Sequence, residues 1–179
     1  MLVLLCISLI AQDVAAQAFS ENDWKVIRSL SPAVIKLDTT NAFANSKEAA
    51  MLGQHLFFDK RLSSNGEVSC ATCHIPEKYF TDGLSVSQGI KPLERNSTTL
   101  LNAAHQRWFF WDGRTDTLWG QPIETIEHPD EMNSGRTDVL RIIKQDDILH
   151  KQWERVFGAM NAQTEDQNTA MLAKSIAAY

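Results

Sequence analysis

Apolar side chains recur at helical spacing through most of this 179-residue chain, and nowhere do they alternate for more than a few positions. Ser20-Glu21-Asn22-Asp23 opens a helix through Leu30, with acidic residues in its first turn. Ser46 caps a second helix over 47–57, in which Ala50, Leu52, Leu56 and Phe57 share an apolar face. Ser63-Ser64-Asn65-Gly66 reads as a turn. Residues 75–98 contain Pro, Gly and Ser with little periodicity and predict a long loop, of the kind that is functional inside a compact domain. Further helices are predicted over 115–127, 138–144, 148–157 and 164–179. There is no repeat and no low-complexity segment, and the fold class expected is all-α.

Length and charge narrow this only a little. With 44% hydrophobic residues the chain is long enough for one domain with a core. Seventeen basic and 22 acidic side chains give a net charge of −5 without a basic run, which argues against nucleic acid or an anionic membrane as partner. Residues 2–11 (LVLLCISLIA) form an apolar run too short to span a bilayer, followed by small residues suited to signal peptidase. Residues 1–18 are therefore read as a signal peptide cut after Ala16 or Ala18, with export to the periplasm and no membrane span after cleavage. The usual positive start is missing, and a buried N-terminal helix is the competing reading.

Cysteine spacing changes the picture. Cys6 leaves with the signal, and the other two sit in Cys70-Ala71-Thr72-Cys73-His74. In a helical turn, positions i, i+3 and i+4 share one face, so two thiols and one imidazole can meet a single flat ligand. C-x-x-C-H is the attachment signature of haem c, the thiols adding to the vinyl groups and His74 reaching the iron. A small disulfide is the plainer alternative for two cysteines in an exported chain. A zinc site would want further ligands at metal spacing, and no second C-x-x-C occurs. The long loop over 75–98 is then expected to wrap the haem.

The series Leu52-Gly53-Gln54-His55-Leu56-Phe57-Phe58-Asp59-Lys60-Arg61-Leu62-Ser63, then the C-x-x-C-H run, Phe80-Thr81-Asp82-Gly83, Arg95-Asn96-Ser97, Leu100-Leu101-Asn102, Phe110-Trp111-Asp112-Gly113-Arg114 and Glu131-Met132 resembles the N-terminal half of the bacterial di-haem cytochrome c peroxidase and MauG family. The match keeps its order from about Lys47 to the C-terminus. That family has two haem domains, each with its own C-x-x-C-H, whereas this chain has one and stops within the helix over 170–179. The resemblance implies that residues 19–179 are the N-terminal, peroxidatic, c-type haem domain and that a second haem domain is absent from this chain, as in a fragment.

By position, the resemblance implies His74 as proximal ligand, its other ring nitrogen donating to a carbonyl or carboxylate. It makes Glu131 the distal carboxylate that moves a proton between the peroxide oxygens, and Gln121 a distal amide that orients peroxide or water. Trp111 matches the aromatic residue between the haems, and Asn96 a residue at an inter-haem calcium site. Each has a plainer reading. Without the resemblance, Glu131 reads as a solvated loop carboxylate, Gln121 as helix surface, Trp111 as core among Trp108, Phe109 and Phe110, and Asn96 as a cap for residues 97–101; with it, the functional reading is favoured for Glu131, Trp111 and Gln121. His55, His105, His128 and His150 match no family ligand.

One departure bears on activity. In the peroxidase branch a distal His follows C-x-x-C-H and ligates the haem at rest. Here no His occurs between His74 and His105, and Gln88 falls near that place. The MauG-like branch also lacks that ligand. Three functions stay open: reduction of hydrogen peroxide with electrons from a small periplasmic donor (a c-type cytochrome or cupredoxin), MauG-like oxidation of tryptophans in a partner protein, and electron carriage without catalysis. The carrier needs a second axial ligand, for which Met132, Met160 and Met171 are available by position.

Overall fold

A computed structural model describes residues 19–30 and 38–179; the expected signal peptide lies outside the described residues. The chain forms two compact units, one ending at Val34 and one running from Ile35 to Tyr179. Within the first, helix α1 (Glu21–Leu30) begins as expected: the Asp23 carboxylate accepts from both the amide and the hydroxyl of Ser20, at 2.8 and 2.6 Å.

The second unit is helical around loops. Helix α2 (Lys47–Phe58) starts where Ser46 Oγ accepts the Ala49 amide at 3.1 Å. The one-turn helix α3 (Cys70–Cys73) carries both cysteines, and α4 (Gly120–Glu127), α5 (Arg136–Gln145), α6 (Asp147–Phe157) and α7 (Glu165–Ala178) follow. Asp146 makes the α5–α6 corner, its Oδ1 accepting the amides of Ile148 and Leu149 at 3.0 Å each. A capping box between Thr164 and Gln167 starts α7. Among the described residues there is no strand, only isolated bridges such as Ile75–Thr81 and Phe109–Thr115. None of the described helices is long and apolar enough to cross a membrane. The all-α expectation holds.

The helix expected over 115–127 is shorter than its periodicity suggests. Phe109 N–H donates to Thr115 O at 2.8 Å and Gly120 N–H to Thr117 O at 3.1 Å, tying residues 109–119 into turns. Pro122 has no amide to give, so it fits only the first turn of a helix, and α4 starts two residues before it.

Leu52, Leu56, Ile143, Trp153 and Leu172, all fully buried, anchor one core drawn from α2, α5, α6 and α7. Leu62, Val68 and Met132 extend it beneath the loop that precedes α3. The tightest approach is α2 on α7. A Cβ at Gly53 would stand 1.9 Å from Ser175 O, which is backbone and cannot turn aside. Gly53→Ala is therefore expected to lower unfolding stability by about 2–3 kcal/mol through overpacking. In urea denaturation the midpoint should fall with the slope unchanged. An unshifted midpoint would show that the helices part at no cost.

Candidate haem site

Three short segments meet around the cysteine pair: the turn around α3, the loop 75–97 that returns past it, and the loop 128–134 after α4. Ser69, almost fully buried, precedes α3, and its amide donates to Thr72 Oγ1 at 2.9 Å. Cys70 and Cys73 are free thiols one turn apart. Burial pushes the Cys70 thiol up to about 12 and that of Cys73 to about 11, with the negative charge of Glu131 adding to both. Two neutral thiols in register suit addition of S–H across two vinyl groups, the sulfur going to one carbon and the hydrogen to the other.

His74 is held by the loop that follows it. Ile75 N–H donates to Thr81 O and Phe80 N–H to Ile75 O, at 3.2 and 2.9 Å, closing a tight ring of chain. To make that ring, Tyr79 and Phe80 both take left-handed backbone angles, φ 57° and 58°, uncommon for side chains of this bulk. The result brings Phe80 O to 3.0 Å from His74 Nδ1. A carbonyl only accepts, so the proton sits on Nδ1 and Nε2 keeps its lone pair. Burial moves the imidazole pKa down, opposed by the carbonyls of Phe80 and Thr98 and by the Asp82 charge. Buried Phe57 lies 6.5 Å from the ring, centroid to centroid. The paired thiols and an imidazole whose Nδ1 is held by Phe80 O fit a haem attached at Cys70, Cys73 and His74.

Glu131 is half-buried, not a solvated loop carboxylate. Its backbone is pinned from the returning loop: Ile90 N–H donates to Glu131 O at 2.8 Å and Lys91 N–H to Asp130 O at 3.1 Å. Lys91 Nζ also pairs with Asp130 Oδ1 at 2.8 Å. Gly89 makes this approach feasible, since a Cβ there would lie 2.4 Å from Asp130 O and 2.8 Å from Glu131 Cα. On the other side Ser64 N–H donates to Met132 O at 2.9 Å, and the Met132 side chain is buried. Burial raises the Glu131 carboxyl above its ordinary pKa. A bond from Thr125 and the charges of His128 and Arg114 oppose that rise, while Glu124 adds to it.

Gln121 lies in the first turn of α4, half-buried and four residues before Thr125, so it shares a face with the residue that binds Glu131. Trp111 is not core: it is 60% exposed, in a turn where Phe110 and Gly113 have positive φ. Its Nε1 donates to Asn96 O at 3.2 Å, joining two of the expected site residues through backbone. Arg114 lies over the Phe110 ring at 3.5 Å and pairs with Asp112 at 3.0 Å. Asn96 heads no helix, since residues 97–100 have no regular structure. Gln88 is exposed, with its carbonyl 3.7 Å from Cys73 Sγ. Met132 is buried in the core and unavailable as an axial ligand in this fold. The sequence assigns no site role to the Phe80 carbonyl, Gly89 or Thr125. Gly89 left a trace as a glycine beside Gln88, but a backbone carbonyl such as that of Phe80 leaves none.

The chain is 44% identical over 105 residues to cytochrome-c peroxidase IdrP2 of Pseudomonas sp. (strain SCT), covering 58% of this chain and 26% of that protein. It is 46% identical over 99 residues to methylamine utilization protein MauG of Methylorubrum extorquens, covering 54% and 28%. The crystal structure of the diheme peroxidase BthA from Burkholderia thailandensis superposes with a TM-score of 0.67 at 29% identity, over 82% of this chain and 39% of that one. The chain thus spans about a quarter of these two relatives' length. The family model for di-haem cytochrome c peroxidase matches residues 47–179. Three-quarters of its length, including the thiol pair, His74 and Glu131, lies within that match: the chain belongs to the di-haem cytochrome c peroxidase family.

Proposed function

We propose that this chain is the peroxide-reacting haem domain of a periplasmic di-haem peroxidase, reducing hydrogen peroxide with electrons from a small c-type cytochrome or cupredoxin. The observation that carries this reading is Glu131, a half-buried carboxylate with a raised pKa, held rigidly by Ile90 and Lys91 and close enough for its charge to act on both haem-attaching thiols. An electron carrier has no need of such a group. Cys70, Cys73 and His74 would hold the haem, which when bound would supply the iron for peroxide reduction. The protein's part is to move protons. Ionised Glu131 would take a proton from one oxygen of the peroxide and return it to the other, which would leave as water. Gln121 orients the peroxide by hydrogen bonding. His74, its Nδ1 proton held by Phe80 O, keeps strong donor character in Nε2. Two donor electrons and two protons complete the conversion of one peroxide to two waters.

The finer assignments belong to the same reading. Trp111, exposed and bonded to the Asn96 carbonyl, is the route for electrons from a second haem in the rest of the protein. Asn96 is this chain's contribution to a calcium site beside it. The absence of a His between His74 and His105 favours MauG-like chemistry as the second reading.

The test is turnover by haem-loaded full-length protein with peroxide and a reduced c-type cytochrome. Two cytochromes oxidised per peroxide is the expected result. Oxidation of tryptophan in a partner protein, without donor turnover, would move the protein to the MauG-like reading. Neither reaction would leave it a carrier.

A further inference from the structure

Beside the haem-attaching turn lies an acid that the proposed chemistry does not use. Asp82 is 5% exposed. Its Oδ1 accepts the Leu84 amide at 2.9 Å, its own amide donates to Ser97 Oγ at 3.1 Å, and its Oδ2 is buried with no hydrogen-bond partner. Burial alone would raise its pKa, but the neighbouring Ser87 side chain and the Leu84 amide outweigh it and hold the carboxyl below its ordinary range. No cation pairs with the carboxylate among the described residues; Lys78 Nζ bonds instead to the Asp82 carbonyl, at 2.8 Å. The same small network grips α3 from behind. Ser97 Oγ donates to Cys73 O at 2.7 Å, and Ser97 N–H donates to the buried Ser87 Oγ at 2.7 Å. The Asp82 charge is felt at both His74 and Cys73.

An unpaired buried carboxylate is costly, and its network keeps it ionised rather than neutral. We propose that Asp82 is a fixed negative charge beside Cys73 and His74 that lowers the reduction potential of the haem they hold. A negative charge in a weakly polar surround favours the ferric over the ferrous iron, because the ferric site carries one more positive charge. Asp82 acts through the field at the haem and is a positioning residue for charge, touching neither peroxide nor donor. The proposal rests on haem attachment at Cys70, Cys73 and His74, but not on which substrate is turned over.

The experiment is redox titration of haem-loaded protein carrying Asp82→Asn or Asp82→Glu. Asn keeps the size and loses the charge; Glu keeps the charge and disturbs the fit. The potential should rise in Asp82→Asn by about 59 mV or more, a tenfold shift in the one-electron equilibrium. In Asp82→Glu it should stay near the wild-type value. A purely structural role reverses this order, Asn being mild and Glu disruptive. An unmoved potential in haem-loaded Asp82→Asn, or loss of haem from both variants, overturns the proposal. Wild-type protein without covalent haem would instead refute the attachment site.

Discussion

Glu131→Gln is expected to slow the reaction of haem-loaded protein with peroxide by about 10²-fold or more, the usual scale for losing a general acid–base group. Gln keeps the length and shape of Glu and can still accept from Thr125, and the backbone bonds from Ile90 and Lys91 do not depend on the side chain. Haem content and absorption spectrum should therefore stay near the wild type. The pH profile adds a second readout. Glu131 must be ionised to take the first proton, so the rate falls as pH drops through its pKa. Burial places that pKa above the ordinary 4.5, and the acid limb of kcat/KM should lie correspondingly higher. In Glu131→Gln that limb should vanish. Stopped-flow mixing with peroxide across pH measures both, and an unchanged rate would return Glu131 to the role of a structural loop residue.

Local chemistry was legible and convergence was not. Ser46 and the Thr164–Gln167 pair announce helix starts because capping is a contact between residues three apart. The thiols of α3 and the imidazole of His74 just after it are legible for the same reason, since one turn sets their spacing. Helix α4 starts later than its periodicity predicts: the pattern extends back to Thr115, while a bridge to Phe109 holds that residue in a turn. Trp111 shows the opposite failure. An aromatic run reads as core, yet Phe109 alone is buried there and Trp108 and Trp111 are both more than half exposed. The support of Glu131 comes from residues some forty positions earlier, through the amides of Ile90 and Lys91 and the missing side chain of Gly89. Such partners have no sequence signature because backbone groups are the same at every residue. The unpaired oxygen of Asp82 is visible only once the chain is folded, since the same Phe80-Thr81-Asp82-Gly83 words would serve an exposed turn.

Replacing both cysteines, as Cys70→Ala with Cys73→Ala, is expected to release all haem into acid–acetone, whereas the wild-type chain should keep it. The distinction is chemical. Acid protonates His74 and unfolds the protein, so a haem held only by the imidazole leaves with the solvent. Thioether bonds are untouched by acid, and a haem held by them stays with the polypeptide even on a denaturing gel. Each single variant should retain one thioether and a weaker haem stain. The absorption band of its reduced pyridine complex should move to longer wavelength, since one vinyl group remains conjugated with the ring. The two thiols need not contribute equally. Burial raises Cys70 further than Cys73, and Cys73 Sγ faces the Gln88 carbonyl at 3.7 Å. Loss of Cys70, whose neighbours are the core-packed Ala71 and buried Ser69, should therefore also unsettle the turn that carries His74. Haem that extracts freely from the wild type would overturn the attachment site, and the roles given to Glu131 and Asp82 would fall with it.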